Sequence, residues 1–292
     1  MSERAPALFA MEPEVRPDAE EQVEREVGDE SVLLGTSSFT AAGWAGTFYP
    51  ANLKAREFLR HYSRKLRTVE IDSTFYGTPS EATVAGWNER TPDDFVLCAK
   101  VPQLITHEKK LLNCAAEFEE FVARMGALGP KLGPMLLQFP RFGKRDLTQQ
   151  QFLERLAVLL KSAGLEGARF AVEIRNPEWL DEMLTEVLRE RGVALVLTDT
   201  TWMPLPWETK PNLDLVTADF IYIRWLGDRQ WIEGKTVVWD KTVVDRTKEL
   251  QSWVSYCKQI LRRGVVIYAY ANNHFGGHAP ATLRLFWELW KK

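Results

Sequence analysis

The sequence predicts an α/β fold, a single (β/α)8 barrel of the TIM type, and three observations carry that prediction. Eight short apolar runs alternate with amphipathic stretches from residue 31 onward. Polar side chains end seven of the eight runs, each at the carboxyl end. The length of 292 residues accommodates the roughly 250 residues of a complete barrel plus a leader.

The runs lie at 32–35, 68–71, 95–100, 135–138, 170–173, 194–198, 220–224 and 265–270. Apolar residues at helical spacing fill most gaps between them: Phe58, Leu59, Tyr62 and Leu66 after the first run, and Phe118, Phe121, Val122 and Met125 after the third, with Asn113 as the expected cap. Phe152, Leu153, Leu156, Leu159 and Leu160 follow the fourth, and Leu250, Trp253, Val254, Cys257, Ile260 and Leu261 precede the eighth. Strands alternating with helices imply parallel βαβ units, and eight of them imply closure. Pro204, Pro206 and Pro211 interrupt the sixth gap, so the sixth helix is expected to be irregular, either short or replaced by a loop.

Residues 1–30 read differently. They carry ten acids and three arginines, a net of −7 in a chain whose total is −3, which leaves about +4 for residues 31–292. Few of them could pack a core, so a disordered acidic tail is expected, with the barrel domain at 31–292. A mild positive balance without a basic stripe is weak support for nucleic acid. No apolar run reaches membrane length and the start lacks a signal-peptide pattern, so the expectation is no membrane and a cytoplasmic location. Cys98, Cys114 and Cys257 are too few and too scattered for a disulfide framework or a cysteine metal cage.

Alternation at the strand ends is the most informative pattern. In Val69–Glu70–Ile71–Asp72 the apolar pair can face outer helices, which aims both acids inward. Val172–Glu173–Ile174–Arg175 and Ile221–Tyr222–Ile223–Arg224 repeat the arrangement, while Lys100, Gln138, Asp199 and Asn272 end four other strands. A barrel keeps its chemistry at that end. Glu70, Asp72, Glu173 and Asp199 are therefore expected to meet Lys100, Arg175 and Arg224, with Tyr222, Tyr268 and Leu136 packed beneath. The acids and Lys100 supply the candidate acid–base set, and crowding should raise one carboxyl pKa toward neutrality.

These residues resemble domain-of-unknown-function family 72, the YecE-like proteins. The resemblance rests on GTSSFTAAGWAGTFYP at 35–50, TVEIDSTFYGTPS at 68–80, FVLCAKVPQLITH at 95–107 and LLQFP at 136–140. It continues through AVEIRNPEW at 171–179, TDT at 198–200, FIYIRWLG at 220–227 and NNHFGGHAPAT at 272–282. It implies a TIM-type barrel and assigns no activity. Asp72 stands where the family more often has Asn, which adds an acid to the rim.

Candidate binding residues surround the acids: Ser37, His107, Gln138, Arg175, Arg224, Asn272 and Asn273. The loop His274–Phe275–Gly276–Gly277–His278 joins the eighth strand to a helix starting near Pro280, where glycine amides and a helix start would suit an anion. No metal set is assigned, since Gly276 and Gly277 break the helical spacing of His274 and His278, although carboxylates with one or two histidines would accommodate one divalent ion. The absence of a nucleophile elbow, phosphate loop or dinucleotide fingerprint leaves the cofactor unknown. Three classes fit: an enzyme acting on a small polar molecule, anionic or phosphorylated; a nucleic-acid-processing or nucleic-acid-binding barrel; and a non-catalytic binding protein. Oligomeric state is not legible.

Overall fold

The computed structural model describes residues 25–143, 145–161 and 167–292. Eight parallel strands are present: β1 (Val32–Thr36), β2 (Thr68–Ile71), β3 (Val96–Ala99), β4 (Met135–Gln138), β5 (Phe170–Glu173), β6 (Ala194–Asp199), β7 (Phe220–Trp225) and β8 (Val266–Ala271). Each lies within a residue or two of its expected run. Around them pack α1 (Phe58–Lys65), α2 (Glu81–Glu89), α3 (Ala115–Gly126), α4 (Gln149–Leu159) and α5 (Glu182–Arg189), then α6 (Arg229–Glu233), α7 (Thr247–Leu261), α8 (Asn273–Gly276) and α9 (Ala279–Trp290). Between β6 and β7 the proline-rich stretch forms a loop with one short turn at Pro206–Glu208, the irregular connection that the prolines predicted.

The barrel is closed unevenly. A continuous ladder runs β1–β8–β7–β6–β5–β4, and β2 and β3 pair separately. Two bridges, Leu97 to Leu132 and Lys100 to Leu136, join β3 to the β4 side. At the β1–β2 seam the backbones meet so closely that a Cβ on Gly35 would stand 2.2 Å from the Thr68 carbonyl oxygen. The phenol of Tyr62 on α1 bridges that seam, accepting from Thr36 N at 2.8 Å and donating to Thr68 O at 3.2 Å.

Alternation sorts the side chains into two cores. Val69, Ile71, Ile221 and Ile223 join the large apolar layer under the helices. Leu33, Cys98, Leu136, Tyr222, Tyr268 and Tyr270 form the packed interior, as expected for Leu136, Tyr222 and Tyr268. Tyr270 donates to Cys98 Sγ, and its hydroxyl lies 2.8 Å from that of Thr68, so the polar atoms within this plug have partners.

Two local expectations change. The cap of α3 is Cys114, with no side-chain bond, while Asn113 is left-handed at φ 50. The expected tail mostly lies at 1–24, outside the described residues, but 25–30 pack on the barrel. Val27 is buried, Arg25 pairs with Asp94, and Glu26 with Lys65 at 3.0 Å. One apolar residue and two charges with partners outweigh an average composition that reads as solvated.

Candidate functional site

The inward positions at the carboxyl ends of β2, β3, β5 and β7 build a network of six charges. Arg224 on β7 lies between two carboxylates, its Nη1 2.5 Å from Glu173 Oε2 and its Nη2 2.6 Å from Glu70 Oε1. Tyr222 donates to the second oxygen of Glu70 at 2.7 Å. Arg175 reaches Glu173 Oε1 at 3.3 Å from the rim, where its guanidinium also faces Trp202. Burial disfavours the charge of Glu173, but Arg224 and Arg175 outweigh it and hold the carboxyl below its usual range. Burial likewise opposes the charge on Arg224, and Glu70 and Glu173 more than restore it. The expected upward shift therefore does not occur at Glu173, because the fixed cations sit closer to it than the crowded acids were expected to allow for.

Lys100 forms the second part. It is 7% exposed, with Nζ 3.3 Å from Asp72 Oδ1 and 3.8 Å from the centre of the Phe75 ring. Asp72 opens a short turn, Asp72–Tyr76, and remains partly exposed. Burial lowers the Lys100 pKa against the pull of Asp72, and the Arg224 charge lowers it further. His107 lies in a wide helical turn closed by Lys109 N to Leu104 O, its ring 5.0 Å from that of Phe75. Burial, with Lys100 and Arg175 nearby, pushes His107 down to about 4. It is a neutral imidazole at pH 7. Lys110, Leu111 and Asn113 just beyond it all have positive φ (47, 64 and 50), backbone strain of the kind that accompanies functional loops.

The structure does not bring every expected residue to this network. Asp199 faces outward and accepts from Trp253 Nε1 of α7 at 2.7 Å, where burial raises its pKa. Strand parity is the reason: Ala194 and Val196 point inward, which turns Thr198 inward and Asp199 to the helices. Gln138 is buried, with its amide donating to Phe139 O. Ser37 is buried with Oγ unpartnered and lines a separate small cavity with Asn272, Asn273 and Ala279.

The loop after β8 is likewise turned inward. Asn273 Oδ1 accepts from Trp44 Nε1 and Ala279 N, and Gly277 N donates to Asn273 O. Gly276 and Gly277 are buried, and a Cβ on Gly277 would stand 2.7 Å from Lys241 O. These glycines admit the segment 241–244, whose Val243 and Val244 amides donate to Gly276 O, so backbone rather than open space stands against this loop. His274 bonds to Asn272 and Glu233, and His278 to Trp239 O. Among the described residues no three His, Cys, Asp or Glu side chains converge as metal ligands would.

The sequence marks Phe75 as an aromatic of the segment after the second strand, but not its place beneath Lys100, and Thr74 as the anchor of that lysine was missed. Thr74 Oγ1 accepts from Lys100 N at 3.1 Å and donates to Lys100 O at 2.7 Å. The run S-T-F-Y after Asp72 was the available signal, since it begins at the mouth.

Fold and site define a (β/α)8 barrel with a polar, ion-paired mouth at the carboxyl ends of its strands. The chain belongs to the family described as protein of unknown function DUF72, whose model matches residues 33–292. It is similar to the UPF0759 protein YecE of Escherichia coli K12, 34% identical over 149 residues, which is 49% of this chain. That alignment spans 52% of the relative, about half its length. A DUF72 family protein of Thermotoga maritima is similar in structure, with TM-score 0.69 and 27% identity over 89% of this chain and 99% of its own. D-psicose 3-epimerase of Clostridium cellulolyticum shares the fold at TM-score 0.53 and 10% identity, over 87% and 89% of the two chains. Among the described residues no helix is long and apolar enough to cross a membrane.

Proposed function

We propose that the protein is an enzyme that performs proton transfer on a small polar or anionic molecule at the barrel mouth. The observation that carries this reading is the Lys100–Asp72 pair, 3.3 Å apart, with a buried lysine and a half-exposed carboxylate. Such a pair can pass one proton between its members and a bound molecule. Glu70, Arg224 and Glu173 brace the floor, and the partly exposed Arg175 supplies a cation for an anionic group. Neutral His107 adds a hydrogen-bonding group.

The full chain would be incubated with a polar metabolite extract, desalted, and its retained compounds identified by mass spectrometry. The expected outcome is one compound retained by the parent, converted on longer incubation, and lost from R175A at unchanged melting temperature. Retention without conversion would favour a binding protein. Retention of nothing overturns both readings.

A second reading, single-stranded nucleic acid at the same mouth, is favoured by the exposed Tyr76 and Trp202, whose rings suit base stacking. Filter binding at two salt concentrations tests it: tight, salt-resistant binding would promote it, while weak, salt-sensitive binding would leave only charge attraction.

A further inference from the structure

Two buried lysines invite comparison. Lys131 and Lys100 are each 7% exposed. Lys131 Nζ donates to the carbonyls of Asn88 and Thr91, both at 2.8 Å, and lies 3.4 Å from Asp93. That is a lysine satisfied as structure. Lys100 Nζ makes no hydrogen bond of good geometry to a described residue; it has the 3.3 Å approach to Asp72 and the face of Phe75. Its backbone, by contrast, is pinned on both sides by Thr74. The chain thus fixes where this amine stands and leaves its nitrogen underused.

We propose that Lys100 is an imine-forming residue, whose Nζ adds to the carbonyl carbon of a small hydroxylated aldehyde or ketone held at the barrel mouth. This rests on the acid–base reading of the same pocket and names its substrate class. Addition requires an uncharged amine, and burial together with the nearby Arg224 cation works in that direction. The nitrogen lone pair forms the C–N bond as the carbonyl π bond breaks, and Asp72 carries the first proton released from nitrogen to the carbonyl oxygen, which becomes the hydroxyl of a carbinolamine. Asp72 then takes the second nitrogen proton and gives it to that hydroxyl, which departs as water as the C–O bond breaks and leaves the C=N bond. One amine and one carbonyl give one imine and one water, with no oxidant or reductant. Neutral His107, near both Lys100 and Arg175, and Arg175 itself would bind the hydroxyls of such a compound, and Phe75 and Trp202 would cover its apolar faces.

Trapping tests the proposal on the full chain. The protein is incubated near neutral pH with glyceraldehyde and sodium cyanoborohydride, which reduces an imine to a stable secondary amine, and modified lysines are located by peptide mass mapping. Lys100 should be modified at least about tenfold faster than the exposed lysines despite its burial. D72N should slow labelling of Lys100 by about a hundredfold and leave surface lysines unchanged. K100R should lose the adduct at that position and retain the parent melting temperature. Labelling that follows exposure alone, with Lys100 slowest in folded parent protein, overturns the imine. If that protein still retains and converts a polar metabolite, the acid–base pocket stands without the imine; if it retains none, both readings fall.

Discussion

At the scale of single residues, Arg224 decides most. It is buried between the buried carboxylates of Glu70 and Glu173 and pairs with both. Replacing it by Ala leaves two buried charges facing each other, a change that costs about 3–5 kcal/mol in measured cases. Denaturant unfolding of R224A should show that loss, and stability equal to the parent would mean that water reaches the network. The sequence made Glu70, Glu173 and Arg224 legible because each charge stands between two β-branched or otherwise apolar neighbours, so the inward parity is unambiguous. Asp199 was misread because a charge at a strand end looks the same in either parity; only Ala194 and Val196 upstream reveal which face it takes. The glycines at 276 and 277 are ambiguous for a different reason. A pair of glycines permits either a ligand or another stretch of backbone to come close, and the stretch that does so, 241–244, is some thirty residues away in sequence.

Among the elements, the β1–β2 seam is the most sensitive. No ladder joins the two strands, and Gly35 has no space for a methyl group because the Thr68 carbonyl fills it with backbone, which cannot rotate away. G35A should therefore destabilise the barrel by about 3 kcal/mol or more. The measurement is thermal or denaturant unfolding, and a fully stable G35A protein would show that the strands can separate at no cost. The helices were legible because their apolar stripes are local: α4 even carries its start signal, a capping box in which Thr148 and Gln151 exchange bonds. The seam was not, since hydrogen bonding between strands leaves no mark in the order of residues.

For the molecule as a whole, pH gives the sharpest expectation. All four histidines are held below 6.5, each chiefly by burial, and His107 falls to about 4. A base with a lowered folded-state pKa contributes stability above its unfolded value and loses it as pH falls through the folded value. Glu173, held below 4.5, loses its contribution lower still. Asp199 has the opposite sign, since its raised pKa penalises the fold as pH rises above 3.8. The urea midpoint should thus fall as pH drops from about 6.5 toward 4, with a shallower slope in H107Q. A flat profile across that range would contradict the histidine burial. The barrel itself was plain from eight runs and their polar ends, because strand alternation and total length are global properties that few other folds share.

The uneven closure has a consequence for how the mouth could respond to an occupant. Glu70, Asp72 and Lys100 ride on the β2–β3 pair and sum to one negative charge, whereas Glu173, Arg175 and Arg224 ride on the six-stranded arc and sum to one positive charge. Tyr222 and Arg224, both from the arc, grip Glu70 from the pair, so these bonds act as a clasp across a cylinder whose ladder is interrupted. Any guest that competes for Arg224 or Glu70 must loosen that clasp, and one that spans the opposite charges must tighten it. Occupancy and breathing of the cylinder are then two readings of one equilibrium.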